Sequence, residues 1–148
     1  MIPLINSQTD VRGINNVVDA LKKVGMDWEP IKEPLSFPDG KPSGAYGLRR
    51  SDNGFVLTHG NSVKSGWTVL PNIKKMEVFQ KFIDSGKVTL DGAGVFRNGT
   101  IIFLIGKVVG GEEDVTPGDA IHQYVMASDA FDGSRSVRLG FPAFRPFC

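Results

Sequence analysis

At 148 residues the chain has the length of one ordinary globular domain and can bury roughly two-thirds of the surface its unfolded form exposes. Hydrophobic residues at 41% and charged residues at 22% exclude a disordered chain. A formal net charge of +1, from 17 basic and 16 acidic side chains, excludes a body that holds nucleic acid by its overall field, so an anionic partner has to be met by a local patch.

In chain order, Val11, Ile14, Val17, Val18, Leu21 and Val24 recur at three- and four-residue steps and predict a helix over residues 11–24, with Thr9 or Asp10 as its cap and Gly25 just past its end. Residues 29–44 contain Pro30, Pro34, Pro38 and Pro42 and the turn signal Asp39-Gly40. They read as an extended, proline-rich connection with one edge strand at most, inside a single domain spanning 1–148. A hairpin is expected next, residues 45–50 and 55–59 around Ser51-Asp52-Asn53-Gly54, then a short strand at 67–70.

Pro71-Asn72 opens a second helix carrying Ile73, Met76, Phe79, Phe82 and Ile83 as a core-facing stripe, with Lys74, Lys75 and Lys81 elsewhere and Gly86 as its stop. Strands over 87–97 and 100–109 flank Asn98-Gly99, the strongest short signal for a two-residue turn. The unbroken apolar run from Ile101 to Ile105 predicts a central strand covered on both faces. An acidic loop at 110–118, a strand at 120–127, a turn at 129–134 beside Gly133 and a strand at 136–141 complete the chain. The expected fold class is α+β, a mainly antiparallel sheet of hairpins with two amphipathic helices packed on it.

The catalytic patterns fail one by one. Cys148 is the only cysteine and stands far in sequence from His59 and His122, so neither an internal disulfide nor a thiol–imidazole pair is expected. No G-x-S-x-G elbow occurs, and Gly92-Ala93-Gly94 and Gly110-Gly111 match neither a P-loop nor a dinucleotide fingerprint. Glu112-Glu113-Asp114 lacks the ligand spacing of a calcium loop. A non-enzymatic protein without metal or cofactor is the expectation. No apolar run approaches the roughly 18 residues of a membrane span and no leader pattern opens the chain, so a cytoplasmic location without membrane contact is expected.

Cations interleave with aromatics. Arg49 and Arg50 follow Tyr46, Lys64 precedes Trp67, Arg97 follows Phe96, and Arg135, Arg138 and Arg145 lie among Phe131, Phe141, Phe144 and Phe147. Cations neutralise phosphates and rings stack bases, a pairing that holds single strands with little sequence preference. Ordinary domains carry as many cations, however, and most of their rings lie in the core.

Three segments together resemble the phage/plasmid-like proteins found on bacteriophage, plasmid and bacterial genomes. Val18-Asp19-Ala20-Leu21 through Gly25-Met26-Asp27-Trp28 is similar to that family's N-terminal helix and "gldw" turn, and Arg50-Ser51-Asp52-Asn53-Gly54 to its arginine-aspartate hairpin. The stretch from Val109 to Val115, then Asp132-Gly133-Ser134-Arg135-Ser136-Val137-Arg138 and the segment from Phe141 to Cys148, resembles its glycine-aspartate loop, "DGSSAVR" turn and final strand. Relatives continue into a helical region, so this chain looks like a minimal form. The resemblance implies a part in mobile-element replication or recombination, with a remote likeness to single-strand annealing proteins.

The resulting expectation is a phage protein that binds DNA, chiefly single-stranded, in support of replication, recombination or early transcription. It would act as a homo-oligomer and meet phage or host replication or transcription proteins. Arg135, Arg138 and Arg145 would contact phosphates, assisted by Arg49, Arg50, Lys64 and Arg97, while Tyr46 and Trp67 stack on bases. The alternative is a protein-interaction module, an inhibitor or adaptor of a host polymerase or nuclease, using an apolar patch that includes Phe144 and Phe147.

Overall fold

A computed structural model of the protein describes residues 8–134, 136–141 and 143–144. The fold is α+β, two helices on a mainly antiparallel sheet, as the sequence predicts. The elements are β1 (Thr9–Asp10), α1 (Val17–Lys23), β2 (Pro30–Ser36), β3 (Pro42–Arg50), α2 (Asn72–Asp84), β4 (Val88–Phe96), β5 (Ile101–Thr116), β6 (Asp119–Ala130), β7 (Arg138–Gly140) and β8 (Ala143–Phe144). The larger sheet runs β1-β4-β5-β6-β7, with β8 also on β6, and β2 and β3 form a separate ribbon. Among the described residues no helix is long and apolar enough to cross a membrane.

The first helix begins six residues later than its valine spacing suggests. The Asn16 side chain accepts from the Val18 and Asp19 N–H groups and caps α1 there. Residues upstream are held by β4 instead: Thr9 pairs with Ala93, Asp10 with Gly92, and the Val11 N–H donates to the Asp91 carbonyl. Val11 therefore reaches the core without being helical.

Residues 29–44 are not a plain connection but most of the β2–β3 hairpin, turning at Asp39-Gly40. Its strand prolines are tolerated because β2 pairs only with β3 and Pro42 precedes the part of β3 that is bridged on its other side. The expected hairpin partner at 55–59 forms only a single bridge, Arg49 to Val56. It ends where the Thr58 hydroxyl replaces a backbone acceptor for the Leu48 N–H, at 3.3 Å. Residues 67–70 form no strand.

The central strand is β5, and its register explains why the apolar run is continuous. Ile102 and Leu104 pair with Asp129 and Ala127 and face the helices, while Phe103 and Ile105 pair with Ser128 and Met126 on the opposite face. The helix side holds the main core, where Phe79 and Met76 of α2 meet Leu90, Ile102, Leu104 and Val125. A smaller cluster of Phe103, Ile105 and Tyr124, with Phe96 and Met126, occupies the other face. The acidic stretch expected as a loop continues β5 to Thr116 instead, after a register shift between Lys107 and Glu112. Glu112 bridges the Lys107 ammonium at 2.9 Å and the His122 ring at 3.1 Å, and Lys107 holds its carboxyl below the usual range.

Candidate functional site

Residues 59–70 leave the ribbon as an irregular segment and run alongside the turn that follows β6. Two interactions fix it. The Lys32 ammonium donates to the Ser65 and Trp67 carbonyls at 2.6 and 2.8 Å, and lies 4.7 Å from the centre of the Tyr46 ring. The Asn61 amide donates to the Asp132 carbonyl at 2.9 Å and ties the two walls together. Backbone strain gathers at one end: His59 and Arg97 have φ of 50° and Asn98 of 55°, with the His59 ring 3.1 Å from the Thr100 hydroxyl between them.

Between the walls lie three depressions that share lining residues and so make one groove. Gly60, Asn61 and Ser62 face Asp132, Gly133 and Ser134 in the first. The second runs from Ser62 to Trp67 against Gly133. Trp67 also lines the third, a cavity of about 240 Å³ whose other walls are Thr68, Leu70, Ser136 and Val137.

Lys75 and Asp129 also line that cavity as a buried ion pair, their side chains only 2% and 4% exposed. The ammonium also sits 3.9 Å from the centre of the Phe131 ring, and the other Asp129 oxygen accepts from the Ala130 N–H at 2.9 Å. Burial pushes the Lys75 ammonium below its ordinary value against the pull of Asp129. The nearby Glu29 carboxyl is raised by burial, accepts from the Asn72 N–H at the start of α2, and keeps Oε2 buried without a hydrogen-bond partner. Buried charges of this kind gather at functional sites more often than elsewhere.

The structure separates the residues that sequence reasoning grouped. Lys64 and Trp67 lie on the groove wall. Arg97 is exposed and close enough to Asp132 at the groove's end to help lower its carboxyl, after the Ser134 hydrogen bonds. Tyr46 lies behind the wall, bridged to Val63 and covered by Lys32. Arg49 pairs with Glu33 at 2.6 Å on the ribbon. Arg50 is structural: it stacks 4.7 Å from the centre of the Trp28 ring and donates to Asp52 and to the Asn98 carbonyl. Arg138 pairs with Ser128 and so projects from the sheet face opposite the cavity. Arg135 and Arg145 lie outside the described residues, as does Cys148, and the side chains of Phe144 and Phe147 are not described either.

On the sheet face away from the helices, Phe103 and Tyr124 are buried. Asp129, expected in a turn, is a buried strand residue because β6 continues to Ala130. Lys75, expected off the core stripe, is on it. It stands four residues before Phe79 and three after Asn72, and that spacing was the signal available in the sequence.

The sequence model of a family described as a domain of unknown function, DUF932, matches residues 59–148, more than half of the chain. The chain belongs to the DUF932 family. No curated protein and no solved structure matches it. The DUF932 match begins at His59, where the first groove wall begins, and takes in both walls, Lys75 and Asp129. Tyr46, Arg49 and Arg50 fall before it. Among the described residues no three His, Cys, Asp or Glu side chains are placed to hold a metal ion.

Proposed function

We propose that this DUF932 protein is a non-enzymatic binder of single-stranded DNA that holds the strand in the groove between residues 59–70 and residues 129–134, 136 and 137. The observation that carries the reading is the groove itself. It runs from Gly60 to the Trp67 cavity, with Trp67 on one wall for base stacking, Lys64 beside it and the exposed Arg97 near Asp132 at its end for phosphates. A role in phage or plasmid replication, recombination or early transcription, in a host cytoplasm, completes the proposal and rests on the sequence resemblance. A modest patch on each subunit favours action as a homo-oligomer, where contacts multiply.

Two rim cations neutralising two phosphates give a shallow salt dependence, a slope of roughly −1.4 in log K against log salt. Fluorescence anisotropy with single- and double-stranded oligonucleotides across a salt series measures it. Joint replacement of Lys64 and Arg97 by alanine should flatten the slope toward zero. Absence of binding at low salt removes the proposal.

One observation favours a second reading, a protein-interaction module. Leu139 of β7 and Phe141 just past its end are 46% and 72% exposed, a short apolar stripe beside an edge strand. An inhibitor or adaptor would use this stripe and leave the groove empty.

A further inference from the structure

The cavity at the Trp67 end of the groove is built differently from the rest of it. Its mouth has exposed Thr68 and Ser136, its sides have Trp67, Leu70 and Val137, and the Lys75–Asp129 pair lies within its lining. At about 240 Å³ it is smaller than the roughly 300–1,000 Å³ of sites that enclose a drug-sized ligand, so it suits one planar ring system. We propose that it receives a single unstacked nucleobase of the bound strand, held against Trp67 with its polar edge toward Lys75 and Asp129. This rests on the groove reading and assigns it a base-recognition point.

The hydrogen-bonding capacity of the pair supports the assignment. An ammonium has three N–H donors, and Lys75 directs one at Asp129 and offers its charge to the Phe131 ring. An ionised carboxylate has about four acceptor positions, of which Asp129 uses one for Lys75 and one for the Ala130 N–H. Donor and acceptor capacity therefore remain side by side. Every base carries an acceptor next to a donor along its pairing edge, so the site takes any base and adds little sequence preference.

A phosphate does not fit. The charge of Lys75 is already matched, and Asp129 would repel an anion. A buried ion pair also contributes little stability compared with apolar residues of the same volume, so packing alone gives no reason for one in a cavity wall.

The test compares a short fluorescein-labelled mixed-sequence DNA oligonucleotide with the same phosphodiester backbone made of abasic units. Wild-type protein should bind the abasic strand roughly tenfold more weakly. Ser136→Phe fills the cavity mouth from an exposed position without touching the ion pair. It should weaken the intact strand by a similar factor and leave the abasic strand unchanged. Thr68→Phe, from the opposite rim, repeats the test if the first variant melts early. Binding of the intact strand that neither variant alters overturns the base pocket while the groove stands. Loss of both strands in the wild type at low salt overturns the pocket and the groove together.

Discussion

An ammonium and a carboxylate buried to within a few per cent, as Lys75 and Asp129 are, depend on each other for solvation. Their attraction in a low-dielectric interior roughly offsets the cost of removing both from water, but only while both are present. Lys75→Met leaves the carboxylate uncompensated, and Asp129→Asn leaves the ammonium so. Each single change should therefore lower unfolding free energy by about 3–5 kcal/mol in urea titrations. The double replacement Lys75→Met with Asp129→Leu leaves no buried charge in the pair and should recover most of the loss. Two singles that add without recovery would show that the residues do not act as a pair. The sequence half-disclosed this feature. The spacing of Lys75 from Asn72 and Phe79 marks a core position, yet a lysine is ordinarily solvated and is expected off the stripe, and only the strand placement of Asp129 supplies its partner.

The connection between β4 and β5 shows what an element requires beyond its own signals. Asn98-Gly99 predicts a two-residue turn, but the connection takes four residues, 97–100, through a 3-10 turn at Arg97–Gly99 with Gly99 at φ 100°. A β-carbon at Gly99 would lie 2.6 Å from Cζ2 of Trp28, whose ring is packed against Phe131 and Arg50. Gly99→Ala should thus cost about 1–3 kcal/mol in backbone strain alone and also displace Trp28, read as a lowered Tm with a changed near-ultraviolet dichroism. Gly60→Ala has open space and should stay within about 0.5 kcal/mol of wild type. Elements written in a repeating local pattern, such as the α2 stripe and the apolar heart of β5, were legible from sequence. The extension of β5 through Gly110 to Thr116 was not. It depends on β6 pairing beyond a bulge, with Glu112 opposite His122, and no local periodicity encodes that. The groove was hidden for the same reason, since its walls are irregular segments brought together by tertiary bonds such as Asn61 to Asp132.

At the scale of the molecule, the family boundary and the core do not coincide. The DUF932 match starts at residue 59, yet eight of the nineteen described residues buried in the main cluster come earlier: Val11, Val17, Ala20, Leu21, Met26, Trp28, Leu48 and Leu57. Trp28 packs on Phe131 with ring centres 5.5 Å apart, and its carbonyl and that of Met26 accept from the buried Asn72 amide at 2.8 and 3.2 Å. Burial of a large apolar side chain contributes about 1.5–3 kcal/mol. Leu21, Met26, Trp28, Leu48 and Leu57 together then supply an amount comparable to the about 5–15 kcal/mol that keeps a whole domain folded. A fragment of residues 59–148 should consequently fail to fold alone, although it contains the entire groove. The expected result is a collapsed amide spectrum and no cooperative melting, against dispersed resonances and one transition for the full chain. A well-dispersed spectrum from the fragment would mean that the N-terminal segment decorates a self-sufficient core, and the stability assigned here to Trp28 and Leu48 would have to be withdrawn.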